Sequence, residues 1–515
     1  MRSKKALKNI VVSLVQQIVT IICGLILPRM IIGTYGSNVN GLISSITQFL
    51  SYITLLESGV GPVIKSVLYT PIAKKDKKQI ERILKSGQRF FNVIAYIFIA
   101  YLVILSFIYP KIVSSEFETG YTISLLLIIS ISTFAQYFFG MTYQLYLQAE
   151  QKTYITSGIQ AITTILNTAI SIILIKLGMN IHIVKLFSAA IFVLRPLVQN
   201  IYVKKKYNIN LKEVDNSFKL KQKWDGLAQH IAAVIHGNTD VTILTIFTNT
   251  AEVSVYTVYL FVVNGIKNLV QALTGGMDAS FGDMYARNEK EHLNKSFKNY
   301  EFFYYTIVTI IFTCTLCLII PFITVYTKGI EDINYIRPLF GALIVIAEYI
   351  WAIRLPYNSL ILATGHFKQT QTGAWIEAIS NILISIILVN KLGIIGVTIG
   401  TLIAMLIRTI EFMFYTAKNI LERNWKYAFR HFLITIIETI IIYICSYYIM
   451  RNVKFINYAG LIEYGIIILA ISCIIVVITN SIIYREQAKE TVNMLKNNLI
   501  KIKRSKVKIL ESEEI

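Results

Sequence analysis

Charged residues are scarce in this chain of 515 residues: Asp, Glu, Lys and Arg make up 15% of it, while 55% is hydrophobic. Soluble domains carry about 25% charged residues. With a mean hydropathy of +0.59, the shortfall excludes a soluble protein with one apolar core. Only 8 prolines, 6 histidines and 5 cysteines are present. The cysteines, at 23, 314, 317, 445 and 473, all fall in apolar stretches and pair with no secreted-type framework. Cys314 and Cys317 have redox spacing but read as packing thiols at lipid depth. There is no G-x-x-x-x-G-K loop, no H-E-x-x-H pair and no Asp-rich metal motif, so the expected class is not an enzyme, with no metal and no cofactor. Strands of alternating polarity are also missing, which excludes a membrane β-barrel.

What is present is a series of apolar runs of about 20 residues, each long enough to cross about 30 Å of hydrocarbon. They fall at 10–32, 41–70, 90–110, 122–147, 154–177, 181–203, 229–248, 254–279, 301–326, 336–363, 372–390, 394–417, 431–450 and 459–484. The fold class is therefore all-α and polytopic, with about fourteen transmembrane helices. The runs 41–70 and 336–363 would be about 45 and 42 Å long as helices, so they must tilt, kink or protrude. The basic start (Arg2, Lys4, Lys5, Lys8) precedes a full span without a cleavage site, which reads as a first span and not a signal peptide.

The net charge of +21 does not point to nucleic acid. With the N-terminus inside, about 36 basic residues fall in inner loops and tails and about 5 in outer loops. The inner clusters are Lys74 to Arg89, Lys204 to Lys223, Lys418 to Arg430 and the tail from Arg485. Both termini are thus expected on the cytoplasmic side of a cell membrane. The basic tail from Lys489 to Lys508 is equally consistent with a surface-lying helix on membrane lipids and with a solvated tail.

The chain repeats itself. NTAISIILIKLG (167–178) and NILISIILVNKLG (381–393) align Asn167 with Asn381, and Tyr143 and Ala149 fall on Tyr357 and Ala363. The offset is six spans, an even number, so the copies share one orientation: a parallel pseudo-repeat of two six-helix lobes. The expected organisation is an N-terminal lobe at 1–203, a basic cytoplasmic linker at 204–228, a C-terminal lobe at 229–420, two added helices within 421–484, and a basic tail at 485–515.

Polar residues within spans are costly and mark bundle interiors or wet cavities. Span one carries Ser13, Gln17, Thr20, Gly24 and Pro28 followed by Arg29. Span seven carries Gln229, Ala233, His236 and Asp240 on one face. Span eight carries Asn264, Lys267, Asn268, Gln271, Gly275 and Asp278. Interhelical hydrogen bonding explains such stripes as well as a wet face does. In span two, Gly59, Gly61 and Pro62 weaken the helix at membrane depth, giving a hinge at a transport site or a close helix crossing. His236 and Asp240, four apart, form either a proton relay or a static pair. Glu57 pairs with a neighbour or takes part in ion or proton coupling. Glu348, Arg354, Glu377, Arg408 and Glu411 read as internal pairs or membrane-edge residues.

The stretch ATGHFKQTQTGAWIEAISNILISIILVNKLGIIGVTIGTLI (363–403) resembles the polysaccharide-transporter (Wzx-type) flippases of the multidrug/oligosaccharidyl-lipid/polysaccharide exporter superfamily. Gly365, Asn381, Lys391, Gly393, Gly396, Gly400 and Thr401 carry the likeness. LESGVGPVIKSVLY (56–69) resembles their second span, with Glu57 where Asp is commoner. The resemblance implies a flippase that moves undecaprenyl-pyrophosphate-linked oligosaccharide from the inner to the outer leaflet by alternating access, for surface polysaccharide assembly. Its partners would be that lipid-linked oligosaccharide, membrane lipids and other polysaccharide-assembly proteins. It also implies a cavity built largely from spans one, two, seven and eight. There Arg29, Lys65 and Lys267, with Asn264 and Gln271, are the expected substrate-binding residues, since a pyrophosphate needs cationic compensation at low dielectric. Two rival readings are a cation-coupled multidrug antiporter of the same superfamily, which would want carboxylates such as Asp240, and a membrane enzyme of polysaccharide assembly. The enzyme would need a sizeable outer loop, and none exceeds about 11 residues.

Overall fold

The computed structural model describes residues 2–57, 59–211, 238–272, 277–451, 453 and 457–490. Among them the chain is all-helical, with no strand, and thirteen helices are long and apolar enough to cross a membrane. The chain is a multi-pass membrane protein. Its N-terminal helices are α1 (Arg2–Tyr35), α2 (Ser37–Ser51), α3 (Val60–Lys74), α4 (Lys77–Ile112), α5 (Thr119–Ala135), α6 (Met141–Ala149), α7 (Thr153–Lys176) and α8 (Ile181–Tyr207). A helix at 238–247 is α9. After it come α10 (Thr250–Ala272), α11 (Met277–Ala286), α12 (Lys290–Tyr326), α13 (Pro338–Ala363), α14 (Gln371–Leu392), α15 (Ile394–Asn419), α16 (Lys426–Met450) and α17 (Tyr458–Ile483). The first nine residues of the seventh expected span, 229–237, lie outside the described residues, as do the tail beyond 490 and most of the basic linker.

Helix boundaries follow local chemistry. Gly36, at φ +88°, is the single residue between α1 and α2, a turn that a side chain would strain. Asp76 caps α4 by accepting from Gln79 N at 3.0 Å, and Asn180 caps α8 by accepting from Ile183 N at 3.0 Å. The cluster Lys74 to Arg89 is mostly helix and not loop, because α4 begins at Lys77. Ile80, Ile83, Leu84 and Gly87 repeat at helical spacing and are buried, so this basic stretch is amphipathic. Likewise α12 starts at Lys290, well before the apolar run.

Span two is not one helix. After α2 the chain tightens into a 3-10 segment, Tyr52–Leu56, turns at Glu57 and at Gly59, and restarts as α3. The fourth span is also interrupted: α5 passes through a π-turn, Gln136–Gly140, before α6. There a Cβ on Gly140 would lie 2.4 Å from Pro196 Cβ of α8, so glycine permits the close approach. Span ten is a single unbroken helix of 26 residues.

The chain forms two compact units. The first comprises 1–261, 329–334 and 381–397; the second comprises 262–328, 335–380 and 398–515. In the first, an apolar core runs through Leu42, Ile46, Ile64, Leu84, Phe98 and Leu125. In the second, α16 and α17 pack on α12 through a polar seam. Asn480 donates to Thr306 Oγ1 at 3.0 Å, Thr313 and Thr439 hydroxyls meet at 3.2 Å, and Cys314 donates to Ser472 at 3.5 Å. All five cysteines are free thiols. The repeat positions Tyr143 and Tyr357, Asn167 and Asn381, and Ser171 and Ser385 are each 5% exposed or less, so equivalent positions are buried in both copies.

Candidate functional site

In the first unit, a ladder of side-chain hydrogen bonds ties span two to α9 and the start of α10. Asn40 donates to Ser254 Oγ at 2.8 Å, the Ser45 and Thr245 hydroxyls meet at 2.8 Å, Gln48 donates to Asn238 Oδ1 at 2.6 Å, and Tyr52 meets Thr242 at 2.7 Å. Asn40 and Ser254 are 214 residues apart, the offset that separates Asn167 from Asn381. Equivalent positions of the two copies therefore touch. Gly41 makes the approach possible: a Cβ there would lie 1.6 Å from Thr250 O. These polar side chains serve as interhelical glue.

Asp240 belongs to this region. It is 8% exposed and accepts from the Tyr256 hydroxyl at 2.7 Å. Its proposed neighbour His236 lies outside the described residues, with Gln229 and Ala233. Glu57 sits at the break in span two and bonds the Tyr137 hydroxyl, so the irregular backbone of span two meets the π-turn of span four. Gly59 lies in the turn, while Gly61 and Pro62 open α3. The weak point read from the sequence is where the helix breaks, three residues earlier than Pro62 itself.

The expected cations are distributed as follows. Arg29, half-buried in α1, folds back over Gly33 of its own helix. Lys65, half-buried in α3, has no ion-pair partner among the described residues. These two belong to the first unit. Lys267 belongs to the second, where its ammonium lies 2.7 Å from Glu348 of α13 and 4.4 Å from the centre of the Trp351 ring. The pairing of Lys267 with Glu348 was not readable from the sequence, since the partners are on different helices with no shared spacing. On α10, Asn264 is half-buried with Lys267, whereas Asn268 and Gln271 are exposed and Val263 and Val270 are buried. Gly275 lies outside the described residues, and Asp278 is exposed at the start of α11.

Several other intramembrane charges of the second unit pair among themselves, while Glu438 of α16 is buried with its Oε1 unpartnered. Glu377 takes Arg354 at 2.5 Å and Arg408 at 3.6 Å, and Arg408 also reaches Glu411 at 2.6 Å. Glu301, fully buried, accepts from Arg423 at 2.8 Å and from the Tyr357 hydroxyl. A cleft of about 670 Å³ at the start of α12 is lined by Lys290, Lys295 and Lys298. Its charges are largely spent: Lys290 pairs with Glu422 at 2.5 Å and Lys295 with Glu490 at 2.9 Å. Among the described residues no group of His, Cys, Asp and Glu could hold a metal ion.

This architecture has solved counterparts. The lipid II flippase MurJ in an inward closed conformation superposes with a TM-score of 0.67 over 93% of this chain and 99% of its own, at 16% identity. An inward-facing multidrug resistance MATE family transporter of the MOP superfamily gives 0.55 over 80% and 98%, at 13% identity. A MOP superfamily transporter from Pyrococcus furiosus, described as having a binding pocket of reverse polarity, gives 0.54 over 82% and 97%, at 14% identity. No family model matches the sequence, and no curated protein matches it. The fold is therefore the MOP-type transporter fold, and these counterparts are transporters and flippases, not enzymes.

Proposed function

We propose that this protein is a flippase for a polyprenyl-pyrophosphate-linked oligosaccharide, working by alternating access of the lobes at 1–203 and 229–420, with both termini cytoplasmic. The observation that supports it most is coverage. The lipid II flippase counterpart spans 93% of the chain, whereas the multidrug transporter spans 80%. Helices α16 and α17 are integrated on α12 through their polar seam. The charge balance agrees: Arg29, Lys65 and Lys267 offer the compensation that a pyrophosphate headgroup requires at low dielectric. In this reading Glu348 holds the Lys267 ammonium until phosphate displaces it, and the break at 56–59 is the hinge of span two.

Reconstitution in vesicles tests the reading. A fluorescent undecaprenyl-pyrophosphate sugar placed in one leaflet should reach the other only with the protein present, and Lys267→Ala should stop it. Buried Asp240 favours the second reading, cation-coupled extrusion of small cationic molecules. Proton-driven dye efflux without lipid movement would establish that reading and reject the first.

A further inference from the structure

The first unit contains a half-open cavity of about 470 Å³ lined by residues of α1, α2, α5, α7 and α8. Lys185 of α8 lines it, and none of its lining residues is acidic. The Lys185 ammonium has no ion-pair or hydrogen-bond partner among the described residues, and the side chain is half-buried. On the facing helix α7, Asn167 is 5% exposed and its Oδ1 lacks any hydrogen-bond partner. The hydroxyls of Ser51 and Thr54 in the same wall donate to carbonyls of their own segment, Gln48 O at 2.6 Å and Ser51 O at 2.7 Å. An unpaired ammonium at membrane depth is costly unless something polar shares its space. Simple snorkelling would direct the side chain outward along the lipid face, whereas this one lines a cleft between helices.

We propose that this cavity is a binding site for a singly charged inorganic anion of halide size, held by the Lys185 ammonium and the Asn167 amide. The sign follows from the charge: one fixed cation and no carboxylate repel a metal ion and attract an anion. The valence follows from the count, since one ammonium leaves a phosphate dianion undercompensated in a low-dielectric wall. Asn167 lines the same space, and its amide carries two N–H donors. The assignment does not depend on which substrate the transporter moves.

Equilibrium dialysis of radioactive chloride tests it, with the full-length protein in a maltoside detergent and gluconate as background anion. Wild type should bind one chloride per chain, saturably. Lys185→Gln should weaken binding by about tenfold or more, and Lys185→Arg should retain it. Asn167→Asp keeps the lysine but supplies an internal counter-charge, so it should also weaken binding, and it serves where Lys185→Gln does not fold. Lys290→Gln, at an exposed lysine of the second unit, should bind as wild type does. Absence of saturable binding in wild type overturns the proposal, as does binding that survives both Lys185→Gln and Asn167→Asp or that is lost in Lys290→Gln. Displacement of chloride by phosphatidylglycerol but not by a neutral lipid would assign the site to a lipid phosphate and overturn the halide.

Discussion

The Lys267 ammonium lies 2.7 Å from the Glu348 carboxylate, with side-chain exposures of 20% and 7%. Removing one member of a buried pair strands the other charge, at a cost of about 3–5 kcal/mol, while removing both is far milder. Lys267→Ala should therefore lower the melting temperature in detergent, and adding Glu348→Gln should restore most of it. Transport should not recover in the double variant if Lys267 binds the substrate phosphate. Recovery of both stability and transport would reduce the pair to a structural role.

The Glu377 cluster gives a contrast in burial. Glu377→Gln leaves Arg354 and Arg408, both nearly buried, with only Glu411 between them. It should destabilise by about 3 kcal/mol or more. Glu422→Gln breaks a pair whose members are 58% and 55% exposed and should cost about 0–1 kcal/mol. Thermal melts of the two variants in one detergent check the order, and equal shifts would contradict the burial assigned to Glu377.

Much of this architecture was legible in the sequence because hydropathy is read residue by residue along a helix. Among the described residues thirteen helices long and apolar enough to cross a membrane fall on the expected runs, all but the seventh, and the repeat is visible in the identical ISIIL segments at 170–174 and 384–388. What escaped depends on contacts between helices. Lys185, one turn inside α8, reads as a membrane-edge lysine until the cavity behind it is seen. The π-turn at Gln136–Gly140 leaves no periodic mark in an apolar run, and only Gly140 hints at the close passage of Pro196. The basic start of α4 reads as loop by charge alone, and only the helical spacing of Ile80, Ile83 and Leu84 marks it as helix.

The segment 485–490 docks on α12 through Glu490, which receives hydrogen bonds from Lys295 and Asn299. The Lys295 contact, followed by that of Asn299, holds this carboxyl below its ordinary range. A depressed carboxylate favours docking above the free carboxylate range, and the advantage is lost as pH falls through the lowered value. Protease access to the chain beyond Tyr484 should thus increase on acidification. Glu490→Gln should show high access at neutral pH and little further change on acidification. An identical acid response in wild type and Glu490→Gln would remove this contact from the docking.

The break in span two makes the most direct claim on mechanism. Residues 52–56 are 3-10 helix, Glu57 and Gly59 lie in turns, and Glu57 reaches Tyr137 in a second irregular segment. Gly59 has φ −88°, a conformation open to any residue, so its role is not to permit a left-handed turn. A mid-membrane glycine instead lowers the cost of changing the backbone, since it favours helix by about 1 kcal/mol less than alanine. A Cβ on Gly61 would meet only Leu145, at 3.6 Å, an ordinary contact. Gly59→Ala with Gly61→Ala should therefore leave folding intact or slightly stabilised, by about 1–2 kcal/mol, and slow transport if span two must flex there. The paired measurement is melting temperature against flipping rate in vesicles. A double variant as fast as wild type would show that the break is a fixed feature of the fold and that the hinge lies elsewhere.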